Sequence, residues 1–379
     1  MIQVLQGAAG VVVIVATLLD VFQSVVTPRP MAGRVRISRY ATLVLWRLCR
    51  WLALRRQDAR RRETLLGNFG PAMVLVYLVL WLLLLILGYG LVLNALADQI
   101  HPHPDLSGSL YFAGTSLFTI GFGDYVGVTR TARAVSIAAG GTGLAVLALV
   151  ITFLFSLYGA FQRREVAVVT LEAGAGAPPS GVTLLETFAL AGIVDQLAGV
   201  FRRWQAAAAE ILDSHLAYPI LAYFRSSHDN DSWVSSLGAV MDAATLMLTT
   251  VDAGDSPAMT GVKGWAKLSR AVLGHCIEDM VIYFDLPDER DVGVEREDYV
   301  LARERLERAG YQLRPEPDGW EAFRTMRAEY AGRVNALAAF WASPPALWIG
   351  DVALRHGGAH GDRPSPGPRP NRRRRTTGS

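Results

Sequence analysis

Residues Thr119-Ile120-Gly121-Phe122-Gly123-Asp124 place two glycines one residue apart, behind a threonine hydroxyl and ahead of a carboxylate. Glycine reaches left-handed dihedrals that a side chain penalises, so Gly121 and Gly123 free this backbone to turn its carbonyls in unusual directions. Alone, a Gly-x-Gly pair is a turn. Here it lies between two long apolar segments, 71–97 and 133–161, and re-entrant backbone at that depth is tolerated only where protein or water surrounds it. The chemistry open to such a stretch is coordination of a cation by backbone oxygens that stand in for water.

Other chemistry-bearing groups are scattered. His101, His103 and Asp105 stand close together in a Pro-rich stretch, where a metal site or external pH sensing competes with a plain exposed turn. His275 and Glu278 lie three apart on a predicted helix, and His215, His228, Asp229 and Asp231 are near one another in sequence. Bundle metal sites use paired Glu-x-x-His motifs. Here the order is reversed and no second copy exists, so core or surface histidines are expected. The aromatic run from Ser214 to Arg225 reads as a ligand pocket or as a packed helix junction. No nucleophile motif and no phosphate-binding loop occurs, so neither an enzyme nor a resident cofactor is expected.

The elements that must position these groups are helical. The chain has 379 residues, 51% hydrophobic, with a formal net charge of only +3, and its mean hydropathy is +0.26. That balance gives no sign of a nucleic-acid partner. Residues 4–26 are apolar and long enough to cross a bilayer, and read as a retained span. Asp20 near its end is expected to pair with an arginine of the next segment. Residues 34–62 are basic and amphipathic at 100° per residue: Arg36, Arg39, Arg47 and Arg50 fall on one face, with Ile37, Val44, Leu45, Leu48 and Leu52 opposite. Such a helix suits a membrane surface, with Trp46 and Trp51 at headgroup level and the four arginines on anionic lipid.

A second span covers 71–97, a short helix 109–118, and a third span 133–161, interrupted by Gly140, Gly141 and Gly143. Residues 98–129 hold no lysine or arginine, while the loop before the second span is rich in arginine. The positive-inside rule therefore puts that basic loop inside, and the N-terminus and the 98–129 loop outside. Cys49 and Cys276 both fall inside, so no disulfide is expected. Residues 172–181 (Glu-Ala-Gly-Ala-Gly-Ala-Pro-Pro-Ser-Gly) read as a flexible linker. From 182 to about 354 apolar residues recur at three and four, with Asp231-Ser232 and Ser256-Pro257 as helix starts. No Gly-x-Gly-x-x-Gly follows a strand there, which argues against a doubly wound nucleotide-binding module. Residues 357–379, with Arg372–Arg375, read as a disordered tail.

In this setting Thr-x-Gly-Phe-Gly-Asp resembles the selectivity filter of the potassium-channel family, of a bacterial type, and the resemblance covers roughly residues 82–161. It implies an all-α membrane protein. The pore unit (outer helix, pore helix, filter, inner helix) would span 71–165. The N-terminal transmembrane helix and interfacial helix (1–70) and the cytoplasmic helical domain (182–355) would be additions, joined by a linker at 166–181 and followed by a tail at 356–379. The family's pore needs four filter loops, so one loop per chain implies a homotetramer in the cell membrane. Potassium would sit on the backbone at Thr119, Ile120, Gly121 and Phe122, with Gly123 closing the filter.

The family's pore-helix aromatic, which contacts the aspartate after the filter, corresponds to Tyr111 facing Asp124. Thr115, beside Ser116, stands where some relatives carry a glutamate behind the filter. A family hinge glycine matches Gly143, with Gly140 and Gly141 next to it. The implied function is passive potassium conduction, gated through the C-terminal domain by an unknown ligand or stimulus. A weakly selective cation channel, or a non-conducting membrane sensor or scaffold, are the alternatives.

Overall fold

The computed structural model describes residues 1–27, 36–226, 232–287, 294–343 and Trp348. Among the described residues three helices are long and apolar enough to cross a membrane. The first, α1 (Ile2–Val25), packs along α4 (Phe69–Ala95). The two approach backbone to backbone, because a Cβ on Gly10 would lie 2.6 Å from the Gly88 carbonyl oxygen. Small residues of this kind let membrane helices close on each other where no hydrophobic drive separates protein from lipid. Between them in sequence come α2 (Ile37–Leu54) and α3 (Ala59–Gly67). Asp58 caps α3, accepting from the amides of Arg60 and Arg61.

After α4 the chain forms strand β1 (Ile100–His101), then α5 (Leu106–Leu117), the segment 118–125, strand β2 (Val126–Gly127) and α6 (Arg130–Ala175). β1 and β2 pair antiparallel, Ile100 opposite Gly127 and His101 opposite Val126, which closes the loop that carries α5. α5 begins three residues earlier than the apolar pattern predicts, because Asp105 caps it by accepting from the Gly108 amide at 2.7 Å. Thr129 caps α6 in the same way, through the Ala132 amide.

The C-terminal part is helical, as expected: α7 (Gly181–Leu190), α8 (Leu197–Ala217), α9 (Trp233–Thr249), α10 (Pro257–Phe284), α11 (Arg296–Arg308), α12 (Glu316–Ala328) and α13 (Ala331–Phe340). Ser232 starts α9 and Ser256 starts α10, each hydroxyl accepting a backbone amide of the first turn. α9 is buried along nearly its whole length, with α6, α7, α8, α10, α12 and α13 around it. A buried polar group in this core needs partners. Asp242 has them, accepting from Arg327 Nε at 3.0 Å and the Tyr330 hydroxyl at 2.6 Å.

Three expectations are corrected. The linker at 166–181 is no loose joint: residues 166–175 continue α6, and a Cβ on Gly181 would meet the α9 backbone at 2.6 Å. Its alanine-rich composition favours helix wherever a neighbour covers one side, and α7 and α8 do so here. Among the described residues Asp20 pairs with no arginine. It accepts from the Ser38 amide and hydroxyl and from Trp81 Nε1 at 2.7 Å, while Arg36 donates to the Gln23 carbonyl instead. Trp46 does not sit at a lipid surface. It is 3% exposed, packed against Phe69 and Tyr223, and its Nε1 donates to the Phe340 carbonyl. The C-terminal domain therefore folds back onto α2 and the base of α4. The tail 357–379 lies outside the described residues.

Candidate functional site

Segment 119–123 is built from its hydrogen bonds outward. The Thr119 amide donates to the Ser116 carbonyl at 2.9 Å, and the Ile120 amide to the Thr115 carbonyl at 2.8 Å, with Gly121 reaching the same oxygen at 3.4 Å. In a trans peptide the carbonyl points opposite to the amide that follows it. Binding the amides of Ile120 and Gly121 to the end of α5 therefore turns the Thr119 and Ile120 carbonyls away from that helix. Among the described residues, no carbonyl from Thr119 to Gly123 accepts a hydrogen bond. Backbone carbonyls left unmet in a folded chain require another partner.

The dihedrals explain the glycines. φ is +59° at Gly121 and +81° at Gly123, the region where side chains are penalised. Thr119 adopts φ +56° as well, which the sequence does not announce, since only glycine signals such backbone. A β-branched residue there is strained, and the site accepts that cost in order to aim the first carbonyl. The Ile120 and Phe122 side chains are exposed.

Support comes from three directions. Thr115 is buried, and its hydroxyl donates to the Phe112 carbonyl at 3.1 Å, leaving its own carbonyl for Ile120; the Ser116 carbonyl holds Thr119. Tyr111 faces the Asp124 carboxylate, with its ring 6.1 Å from that of Tyr125, and the Asp124 carboxylate also accepts the Tyr125 amide. Gly143 on α6 meets the end of α5: a Cβ there would lie 1.9 Å from the Leu117 carbonyl oxygen. Gly140 is less tight, 3.2 Å from the Ser116 carbonyl oxygen, and nothing lies within 4 Å of a Cβ on Gly141. Tyr89 of α4 ties the outer helix to α6 through Thr142 Oγ1 at 2.7 Å.

The scattered candidates do not converge. His103 binds Asp98 at 3.2 Å, and Asp105 is spent as the α5 cap. His275 faces Asp279 at 3.4 Å, and Glu278 faces Arg333 at 3.6 Å. His228, Asp229 and Asp231 lie outside the described residues. Among the described residues no cluster of three or more acidic, histidine or cysteine side chains could hold a metal ion.

His215 has a structural place that sequence reasoning missed. It is fully buried, its Nδ1 donates to the Ile211 carbonyl at 2.8 Å, and its Nε2 accepts from Arg164 Nη1 at 3.3 Å. Burial, then the Arg164 charge, drive its pKa well below the ordinary 6.5. Arg164, in the C-terminal third of α6, also donates to the carbonyls of Leu221 and Phe224. The aromatic run 214–225 is thus the junction that grips α6. No local signal marks this role of Arg164: apart from the adjacent Glu165, which its guanidinium also meets, its partners are more than fifty residues away.

Residues 76–159, from α4 through segment 119–123 into α6, match the family model described as "Ion channel". The chain is also similar to the protein described as "Uncharacterized membrane protein YdjJ" from Bacillus subtilis (strain 168), at 22% identity over 244 residues, covering 63% of this chain and 68% of the relative. No solved structure gives a significant match.

Proposed function

We propose, from the premise of an ion-channel pore domain in a membrane protein, that the protein conducts potassium passively through a pore built by four copies of the chain. The observation that carries this reading is the division of the 119–123 backbone: the Thr119, Ile120 and Gly121 amides turn back onto α5, while among the described residues none of its carbonyls accepts a hydrogen bond. Four such strands around an axis would offer rings of oxygen in place of the hydration shell of a potassium ion, held at Thr119, Ile120, Gly121 and Phe122. α5 would point its C-terminal, negative end toward the ion.

The pore would lie in the cell membrane with the N-terminus outside and the C-terminal domain in the cytoplasm. That domain would act as the gate's control, a reading supported by the buried Arg164 contacts that join it to the C-terminal third of α6. The test is cation flux from liposomes holding the purified full-length protein. Potassium-driven flux that sodium fails to replace is the expected result. Equal flux with both ions would mean a weakly selective channel, and flux with neither would leave a non-conducting sensor.

A further inference from the structure

The basic face of α2 borders the C-terminal domain, with Arg36 buried and Arg39 and Arg47 still exposed. Val44, Leu48 and Leu52 are exposed on the outer side, and Arg36, Arg39 and Arg47 line a cavity of about 370 Å³ between α2 and the C-terminal domain. Tyr223, Tyr283 and Phe340 form the facing wall, and Tyr77 of α4 and Phe153 of α6 also contribute to the lining.

Among the described residues the charge in this cavity is unbalanced. Arg36 is 8% exposed, and its recorded hydrogen bond goes to a neutral carbonyl, that of Gln23 at 2.8 Å. Arg39 lies 5.8 Å from the centre of the Tyr283 ring. Among the described residues, none of the three arginines forms an ion pair. The acid that lines the same cavity, Asp285, is not bound to any of them. A buried guanidinium is costly without an anionic partner, and its planar fork suits the oxygens of a phosphate. Depth fixes the rest of the ligand. Tyr77 stands eight residues into α4, about 12 Å along the helix at 1.5 Å per residue, so the cavity reaches from the basic surface into apolar territory.

We infer that this cavity binds the phosphate group of an anionic amphiphile, held by Arg36, Arg39 and Arg47, with its apolar part against Tyr77 and Phe153. The site lies apart from segment 119–123, and its test does not read ion conduction.

The experiment uses the full-length protein in a neutral detergent. Melting temperature is followed on addition of dioleoylphosphatidylglycerol, dioleoylphosphatidylcholine or inorganic phosphate. Ligands that bind only the folded state raise it. The expected result is a saturable rise with the anionic lipid and little with the zwitterionic one. The double variant R39Q/R47Q, which changes two exposed arginines that form no ion pair among the described residues, should weaken the apparent affinity at least about tenfold, the loss expected for charge-assisted contacts. R56Q/R60Q, outside the cavity, should respond as the unmodified protein does. Native mass spectrometry of retained lipid on the same variants checks the result independently of stability. A rise with inorganic phosphate alone would keep the anion site and name free phosphate as its source. The proposal fails if neither probe shifts the melting temperature, or if R39Q/R47Q retains the full response.

Discussion

Two residues carry sharp tests. At Gly123 the backbone holds φ +81°, so Gly123→Ala adds a side chain to a conformation that resists one, at a cost of order 1 kcal/mol or more. The expected outcome is loss of potassium flux with assembly intact, measured as liposome flux beside size-exclusion of the purified protein. Potassium-selective flux at the normal level would remove segment 119–123 from the ion path. Gly143 reads from sequence as a hinge, since glycine weakens a helix by up to ~1 kcal/mol relative to alanine. Its setting says more: the added methyl would run into the Leu117 carbonyl, and overpacking of a close contact costs about 1–3 kcal/mol. The contact is with α5 and not with the outer helix. Gly143→Ala is therefore expected to lower the melting temperature. An unchanged melting temperature with reduced single-channel open probability would restore the hinge.

Among the elements, the junction of α6 with α8 responds to acid. His215 stays neutral when folded, and its pKa is far below 6.5; once unfolded it takes up a proton near that value. The unfolded chain then binds more protons, so stability rises with pH. Stability is complete above about pH 6.5 and falls below it, by about 1.4 kcal/mol one pH unit lower from this group alone. His215→Gln should flatten the difference between melting temperatures at pH 7.5 and 5.5. An equal difference in both proteins would mean that other groups set the acid response.

The same elements show what the sequence can and cannot disclose. The helix starts at Ser232 and Ser256, the three spans and the left-handed glycines at 121 and 123 were legible, because capping, periodicity and glycine are local signals. The partners of Asp20 and Trp46 were not. Amphipathicity says which face of α2 is apolar, but not that a domain nearly three hundred residues later in the chain covers Trp46. The apparent linker misled for a related reason: glycine and alanine were read as flexibility, whereas α7, α8 and α9 fix them in place.

For the molecule as a whole, the arrangement makes a claim about sides. The arginine-bearing face of α2 and the C-terminal domain meet each other, so they belong to one side of the membrane, with the 98–129 loop at the other end of α4 and α6. A single cysteine placed at the N-terminus should react with an impermeant thiol reagent in intact cells, while one placed after Gly357 should react only after permeabilisation. The reverse pattern would invert the assigned orientation. The exposed side chains of Ile137, Leu144, Ile151 and Phe155 on α6 then await either lipid or neighbouring copies.

The unbroken α6 also has a mechanical meaning. From the Leu117 contact at Gly143 to its end at Ala175, the helix is a stiff rod of roughly 48 Å at 1.5 Å per residue. Pivoted at that contact, a swing of about 5° would carry the far tip some 4 Å, by the same helical rise. The C-terminal domain holds this rod along its shaft, at Arg164, as well as at the tip. Under the proposed function, small repacking among α7, α8 and α9 would swing the part of α6 that lies beyond Gly143, since the helix has no break between that contact and Ala175.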